Sequence, residues 1–95
     1  MHLDQLQIDQ IIALAQKHGA TRLVLFGSAL DRPERARDLD LACDGVAGWD
    51  LYTLGGLLEE MLHTTVDLIP LTPPTPFTRR IEDKGKVLYD AGRPA

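Results

Sequence analysis

Asp38 and Asp40 stand two residues apart in "RDLDLAC", a run otherwise dominated by apolar groups. In a strand, alternate residues share a face and lie about 6.6 Å apart. Both carboxylates would therefore project from one side, while Leu39, Leu41 and Cys43 project from the other. Hard oxygen ligands so arranged suit a divalent cation such as Mg²⁺, which is bound at roughly 2.1 Å by carboxylates, water and phosphate. Asp67, in "TVDLIPL", is a third acid between apolar neighbours. If its strand lies beside the first, the three acids form one cluster. Their mutual repulsion would be relieved by bound cations, and two such ions could activate a hydroxyl and stabilise a leaving group.

Gly27-Ser28 ends the apolar run "TRLVLF" ten residues before the acids. Glycine permits a tight turn, and exposed backbone N–H groups there suit phosphate oxygens. The Ser28 hydroxyl can add a hydrogen bond. It is not a Walker loop, since GxxxxGK[ST] is absent. Arg32, Arg35 and Arg37 follow as a local basic patch able to meet a triphosphate or an acidic partner. A bland reading stands beside each of these. The acid pair could be a solvated strand face, Asp38 a helix cap, Gly27-Ser28 an ordinary turn, and Arg35 a loop charge.

The elements that must hold these groups follow from periodicity. Ile8, Ile11, Ile12 and Ala15 have helical spacing, and Gly19 closes that helix. "TRLVLF" reads as a strand covered on both faces. Residues 49–63 place Leu51, Leu54, Leu58, Met61 and Leu62 on one helical stripe. Trp49 and Tyr52 open that helix and are expected to anchor it, although an adenine could also stack there. Pro70 puts the end of the third strand at a sheet edge. "TPPTP" reads as a stiff connector and "FTRRIEDKG" as a short helix; "KVLYD" is either a last strand or an extended tail. The order predicts a small mixed α/β layer within a single domain, residues 1–95.

The 95 residues carry 14 acids against 10 bases, a net charge of −4. An acidic balance argues against a bulk nucleic-acid surface but leaves room for a nucleotide. One cysteine, Cys43, excludes an intrachain disulfide. Its place among apolar residues predicts core packing. His2, His18 and His63 have no zinc-site spacing, and the last two are expected at helix ends. No leader and no apolar run of about eighteen residues is visible, so the expected location is cytoplasmic.

Strand, Gly27-Ser28, an arginine-containing spacer, Asp38-x-Asp40 and a later lone Asp67 together resemble the minimal nucleotidyltransferases of the DNA polymerase beta-like superfamily. The late "RRIEDKGKVLYD" is similar to that family's "I…eG…lY" ending. The resemblance spans most of the chain. It departs from the "GSxARG" pattern, because Arg32 is displaced by one position behind Asp31, and from the serine before the acid pair, which is Arg37 here.

The resemblance implies an α/β (α+β) nucleotidyltransferase fold with a mixed sheet of three to four strands. It implies transfer of AMP from ATP to a hydroxyl. Asp38 and Asp40 would hold two Mg²⁺ ions, while Asp67 would hold the catalytic ion and help deprotonate the acceptor. Gly27, Ser28 and nearby backbone would grip the β- and γ-phosphates; of the two departures, Arg32 could still reach a phosphate or belong to an altered segment, and Arg37 could bind phosphate or face solvent. Many such proteins are antitoxins that add AMP to a tyrosine of a HEPN-domain ribonuclease toxin. The expected partner is therefore a HEPN toxin, with no membrane or nucleic acid involved, and a homo- or hetero-oligomer is compatible with the small size. Two other functions fit the residues. One is a nucleotidyltransferase-like antitoxin that neutralises its partner by contact alone; the other is a transferase acting on a small molecule or RNA.

Overall fold

The computed structural model describes residues 1–46 and 48–92. Helix α1, Gln5–Lys17, begins at Asp4, whose side chain accepts from the Gln7 backbone N–H while Gln7 reciprocates to the Asp4 N–H. This capping box satisfies donors that a helix start otherwise leaves unpaired. Strand β1, Arg22–Phe26, runs into the four-residue helix α2, Ser28–Asp31. Strand β2, Asp38–Asp44, helix α3, Trp49–Leu62, and strand β3, Thr65–Pro70, follow. Helix α4, Pro76–Lys84, starts with a second capping box, Thr75 with Thr78, and has proline at its first turn, where the missing N–H costs nothing. Strand β4, Lys86–Asp90, completes the chain of elements, so "KVLYD" is a strand and not a tail.

The sheet order is β3-β2-β1-β4. Strand β1 is antiparallel to both β2 and β4, and β2 is parallel to β3. This is the mixed sheet expected from the sequence, with four strands. β3 lies at an edge, as Pro70 at its end requires.

The two faces of the sheet have different fates. Leu23, Leu25, Leu39, Leu41 and Cys43 point towards α1 and α3 and pack with Ile11, Ala15, Leu54 and Leu58 in the main core. Leu54 and Leu58 are fully buried, so the predicted stripe on α3 is the packed one, and Gly55-Gly56 do not interrupt the helix. On the opposite face, Val24 and Ala42 meet Leu71 and Ile81 beneath α4 in a smaller apolar cluster. Gly85, just past α4, makes this approach possible. A Cβ there would lie 2.5 Å from a Val24 methyl and 2.9 Å from the Leu25 carbonyl oxygen. The glycine of the late "RRIEDKGKVLYD" segment is thus a packing requirement.

Trp49 and Tyr52 do not anchor α3. They are 84% and 79% exposed, and their rings contact each other at 5.9 Å. Their phase on the helix is turned away from the Leu54–Leu58 stripe, so only solvent or a partner can meet them. His18 and His63 are helix C-caps, as their positions suggested.

Candidate functional site

α4 covers only part of the second sheet face. The uncovered part, where β1 ends and β2 begins, carries the acids. Strand pairing decides their placement: Asp40 on β2 is the direct partner of Asp67 on β3, and on its other side is opposite Phe26 of β1. Asp38 lies two residues along the same strand on the same face, beside Thr65. Flanking residues lock this register. A slip of one position would turn Leu39 and Leu41 out of the main core, so burying them forces Asp38 and Asp40 outwards on the other side.

Asp40 is half-buried, while Asp38 and Asp67 are exposed. Burial raises the Asp40 pKa above the ordinary carboxylate value. The negative charge of Asp67, its carboxyl close enough to share a proton, and the charge of Asp38 all push the same way. Each of these causes penalises the charged form of Asp40, and a cation in the midst of the acids would offset their mutual repulsion.

As they stand, no three His, Cys, Asp or Glu side chains among the described residues are gathered as a metal cage. Asp40 and Asp67 are brought together by the sheet, whereas Asp38 is coupled to Asp40 only through its charge. The donor set is nonetheless all carboxylate oxygen, which is the chemistry Mg²⁺ takes.

Gly27 is part of the same construction. Its φ is +75°, in the region that favours glycine, and a Cβ built on it would collide with the Asp40 carboxylate, lying 3.1 Å even from Cγ. The turn that ends β1 therefore closes directly over the central acid. Gly27 caps α2, its carbonyl accepting from the Leu30 and Asp31 N–H groups at 3.1 and 3.0 Å. Ser28 is the exposed first residue of that helix.

Arg32 ends α2, its N–H donating to the Ser28 carbonyl at 2.7 Å, and Arg37 precedes Asp38. Among the described residues neither guanidinium has a side-chain partner. Both are exposed near the mouth of the acid cluster in sequence, on the segment that joins Gly27-Ser28 to β2. Cys43 is buried on the helix-covered face, and burial together with nearby Asp44 pushes its thiol up to about 11. It belongs to the core and takes no part in the site.

Two neighbours of the site were not singled out by the sequence. Phe77 of α4 stands edge-on to Phe26, with ring centroids 6.1 Å apart, and remains 57% exposed. It forms an aromatic wall beside the strand position opposite Asp40. Its signal was the i, i+4 spacing to Ile81 on one helix face. Arg22 is the second. Its Nη1 donates to Asp90 at 2.6 Å, and its Nε lies 3.2 Å from Glu82, outside hydrogen-bond alignment. One side chain thereby ties β1 to β4 and α4. A cation opening an otherwise apolar strand was the available clue.

No protein-family model matches the chain, and no curated protein matches it. Solved structures do. A protein assigned as a minimal nucleotidyltransferase superposes with a TM-score of 0.71 at 26% identity, over 88% of this chain and 95% of that one. The chain has the minimal nucleotidyltransferase fold. The chain is also similar in fold to toxin–antitoxin structures, two of which illustrate the likeness. One is a tri-AMPylated Shewanella oneidensis HEPN toxin in complex with MNT antitoxin, with a TM-score of 0.73 and 22% identity over 93% of this chain and 73% of that chain. The other is a toxin–antitoxin with AMP-PNP, with a TM-score of 0.75 and 22% identity over 87% and 73%.

Proposed function

We propose that this chain is an antitoxin of the minimal nucleotidyltransferase type that transfers AMP from ATP to a hydroxyl, a tyrosine in the first instance, of a HEPN toxin. The observation that carries the reading is the in-register pair Asp40–Asp67 on the open sheet face, with Gly27 pressed against Asp40. The AMPylated toxin and the AMP-PNP complex among the structures of this fold support the choice of nucleotide and acceptor.

The chemistry is an in-line displacement. The acceptor oxygen forms a bond to the α-phosphorus, the bond from that phosphorus to the α–β bridging oxygen breaks, and pyrophosphate leaves. Asp67, at the outer side of the pair, takes the hydroxyl proton. Asp38 and Asp40, with Asp67, are the residues that would hold Mg²⁺, which supplies charge neutralisation at the phosphates when bound. The Gly27-Ser28 turn orients the β- and γ-phosphates through backbone N–H groups and the Ser28 hydroxyl. Arg32 and Arg37 add positive charge at the triphosphate end. Holding acceptor and phosphate in one geometry is itself a large part of such catalysis.

The test is intact mass spectrometry of a co-expressed HEPN partner incubated with this protein, ATP and Mg²⁺. The expected result is mass added in steps of one AMP, lost with Asp40→Asn. A second reading, neutralisation by contact, is motivated by the Asp31-Arg32 departure. It would be favoured by an unchanged mass in a stable complex.

A further inference from the structure

The open sheet face is graded along its strands. At one end stand Asp38 and the Gly27-Ser28 turn. In the middle is a row of direct cross-strand partners, Phe26, Asp40 and Asp67. Two residues further along, Val24, Ala42 and Ile69 form the next row, which is apolar and packs beneath α4 against Ile81. Four residues of strand separate Asp38 from Ala42, a rise of about 13 Å. Polar turn, acids and apolar shelf thus succeed one another over a length comparable to that of a nucleotide. A nucleotide is built in the same order: triphosphate, sugar, base.

The apolar end is unfinished. Phe77, in the first turn of α4, is 57% exposed, although it meets Phe26 edge to face with ring planes at 83°. Such a contact leaves much of the Phe77 ring open. The capping box of Thr75 with Thr78 holds the turn on which the ring stands. Hydroxyls in this part of the chain are already engaged. Thr78 Oγ1 donates to the Thr75 carbonyl and accepts from the Thr75 N–H, Thr75 Oγ1 accepts from the Thr78 N–H, and Thr72 Oγ1 donates to Asp44. What the chain offers there is ring surface. Trp49 and Tyr52 are exposed rings too, but α3 covers the other face of the sheet, so they stand away from the acids.

We propose that Phe77, backed by Phe26, is the stacking surface for the base of a nucleotide whose phosphates lie at the Gly27-Ser28 turn. The inference rests on the nucleotide reading above, but not on transfer to a partner. Phe26 sets the distance of this surface from the acids, because it is both the neighbour of Phe77 and the cross-strand partner of Asp40. A base stacked on an aromatic ring is recognised by its face, and a purine offers more face than a pyrimidine. Phe77 therefore governs affinity for the nucleoside half of the ligand and favours purines, while the grip on the phosphates is independent of it.

Calorimetric titration in the presence of Mg²⁺ tests this with two probes, AMP-PNP and inorganic tripolyphosphate, which lacks sugar and base. Wild-type protein should bind AMP-PNP more tightly than tripolyphosphate, and more tightly than the corresponding UTP analogue. Phe77→Ala should weaken AMP-PNP binding about fivefold or more, the lower end of what one base–aromatic stack is worth, and leave tripolyphosphate binding unchanged. Phe77→Trp should bind AMP-PNP at least as tightly as wild type. Unchanged AMP-PNP affinity in Phe77→Ala, or equal weakening of both probes with an unchanged circular dichroism melt, overturns the proposal. So does a wild-type protein that binds the two probes alike, or a loss of AMP-PNP affinity in Phe77→Trp, and these two results carry the test should Phe77→Ala not fold. A Phe77→Ala protein that keeps its AMP-PNP affinity but no longer binds a HEPN partner also overturns it and assigns the ring to protein contact. Phe77-dependent binding of AMP-PNP without AMP transfer to a HEPN partner would leave the stacking surface standing and remove the transfer reading. Transfer with a wild-type KM for ATP in Phe77→Ala would do the reverse.

Discussion

Replacing Asp40 by asparagine should make the metal-free protein more stable. Asp40 and Asp67 are direct cross-strand partners, and neighbouring strands lie about 4.8 Å apart. Two unit charges at that separation repel by about 0.9 kcal/mol in water and about 3.5 kcal/mol at an effective dielectric of 20. Asp67 is exposed and Asp40 only half-buried, so solvent screening puts the net effect near the lower value, about 1 kcal/mol. For a domain of this size that corresponds to a melting temperature higher by roughly 4–8 °C. The pH dependence has a definite sign. The folded state raises the Asp40 pKa, so it binds more protons than the unfolded chain as pH climbs through the carboxylate range. Stability is greatest below the unfolded value and declines as pH rises through the raised folded one. Asp40→Asn removes that decline. The assay is thermal unfolding by circular dichroism without divalent cations, at about pH 4 and about pH 8. The variant's advantage should exist at the higher pH and vanish at the lower. A variant less stable than the wild type at high pH, or an advantage independent of pH, would refute the charge argument.

Gly27→Ala should be costly twice over, since it places a side chain at φ +75° and drives it into the Asp40 carboxylate. A loss of about 2 kcal/mol or more in urea unfolding is expected, together with weakened AMP transfer. Thr75→Ala removes the side-chain acceptor for the Thr78 N–H and should cost about 1 kcal/mol by the same measurement, with the effect concentrated in α4. Asp67→Asn should reduce transfer on the order of 10³-fold while leaving the circular dichroism spectrum intact, because its side chain is exposed and carries no part of either core.

What could be read from the chain was whatever burial imposes on spacing. Leu39, Leu41 and Cys43 alternate with Asp38, Asp40 and Ala42 because one face of β2 meets α1 and α3, so the face of the acids was legible. The pairing of Asp40 with Asp67 was open, since a period of two sets the face and not the neighbour; only the parallel register of β2 and β3 decides it. β4 was ambiguous because Lys86 and Val87 are exposed at a sheet edge, where little burial constrains the pattern. Trp49 and Tyr52 misled for the opposite reason. Large apolar rings suggest an anchor, but exposure depends on helical phase, and theirs is turned away from the Leu54–Leu58 stripe. Arg22 acts through Asp90 and Glu82, both more than fifty residues away, which no local pattern encodes.

The most direct measurement of the central claim uses ATP radiolabelled at either the α- or the γ-phosphate, incubated with this protein, Mg²⁺ and a HEPN partner. Stable label is expected on the partner from the α-phosphate alone, with release of γ-label as pyrophosphate, and neither with Asp40→Asn. Label carried over from the γ-phosphate, or transfer that survives Asp40→Asn, would contradict it.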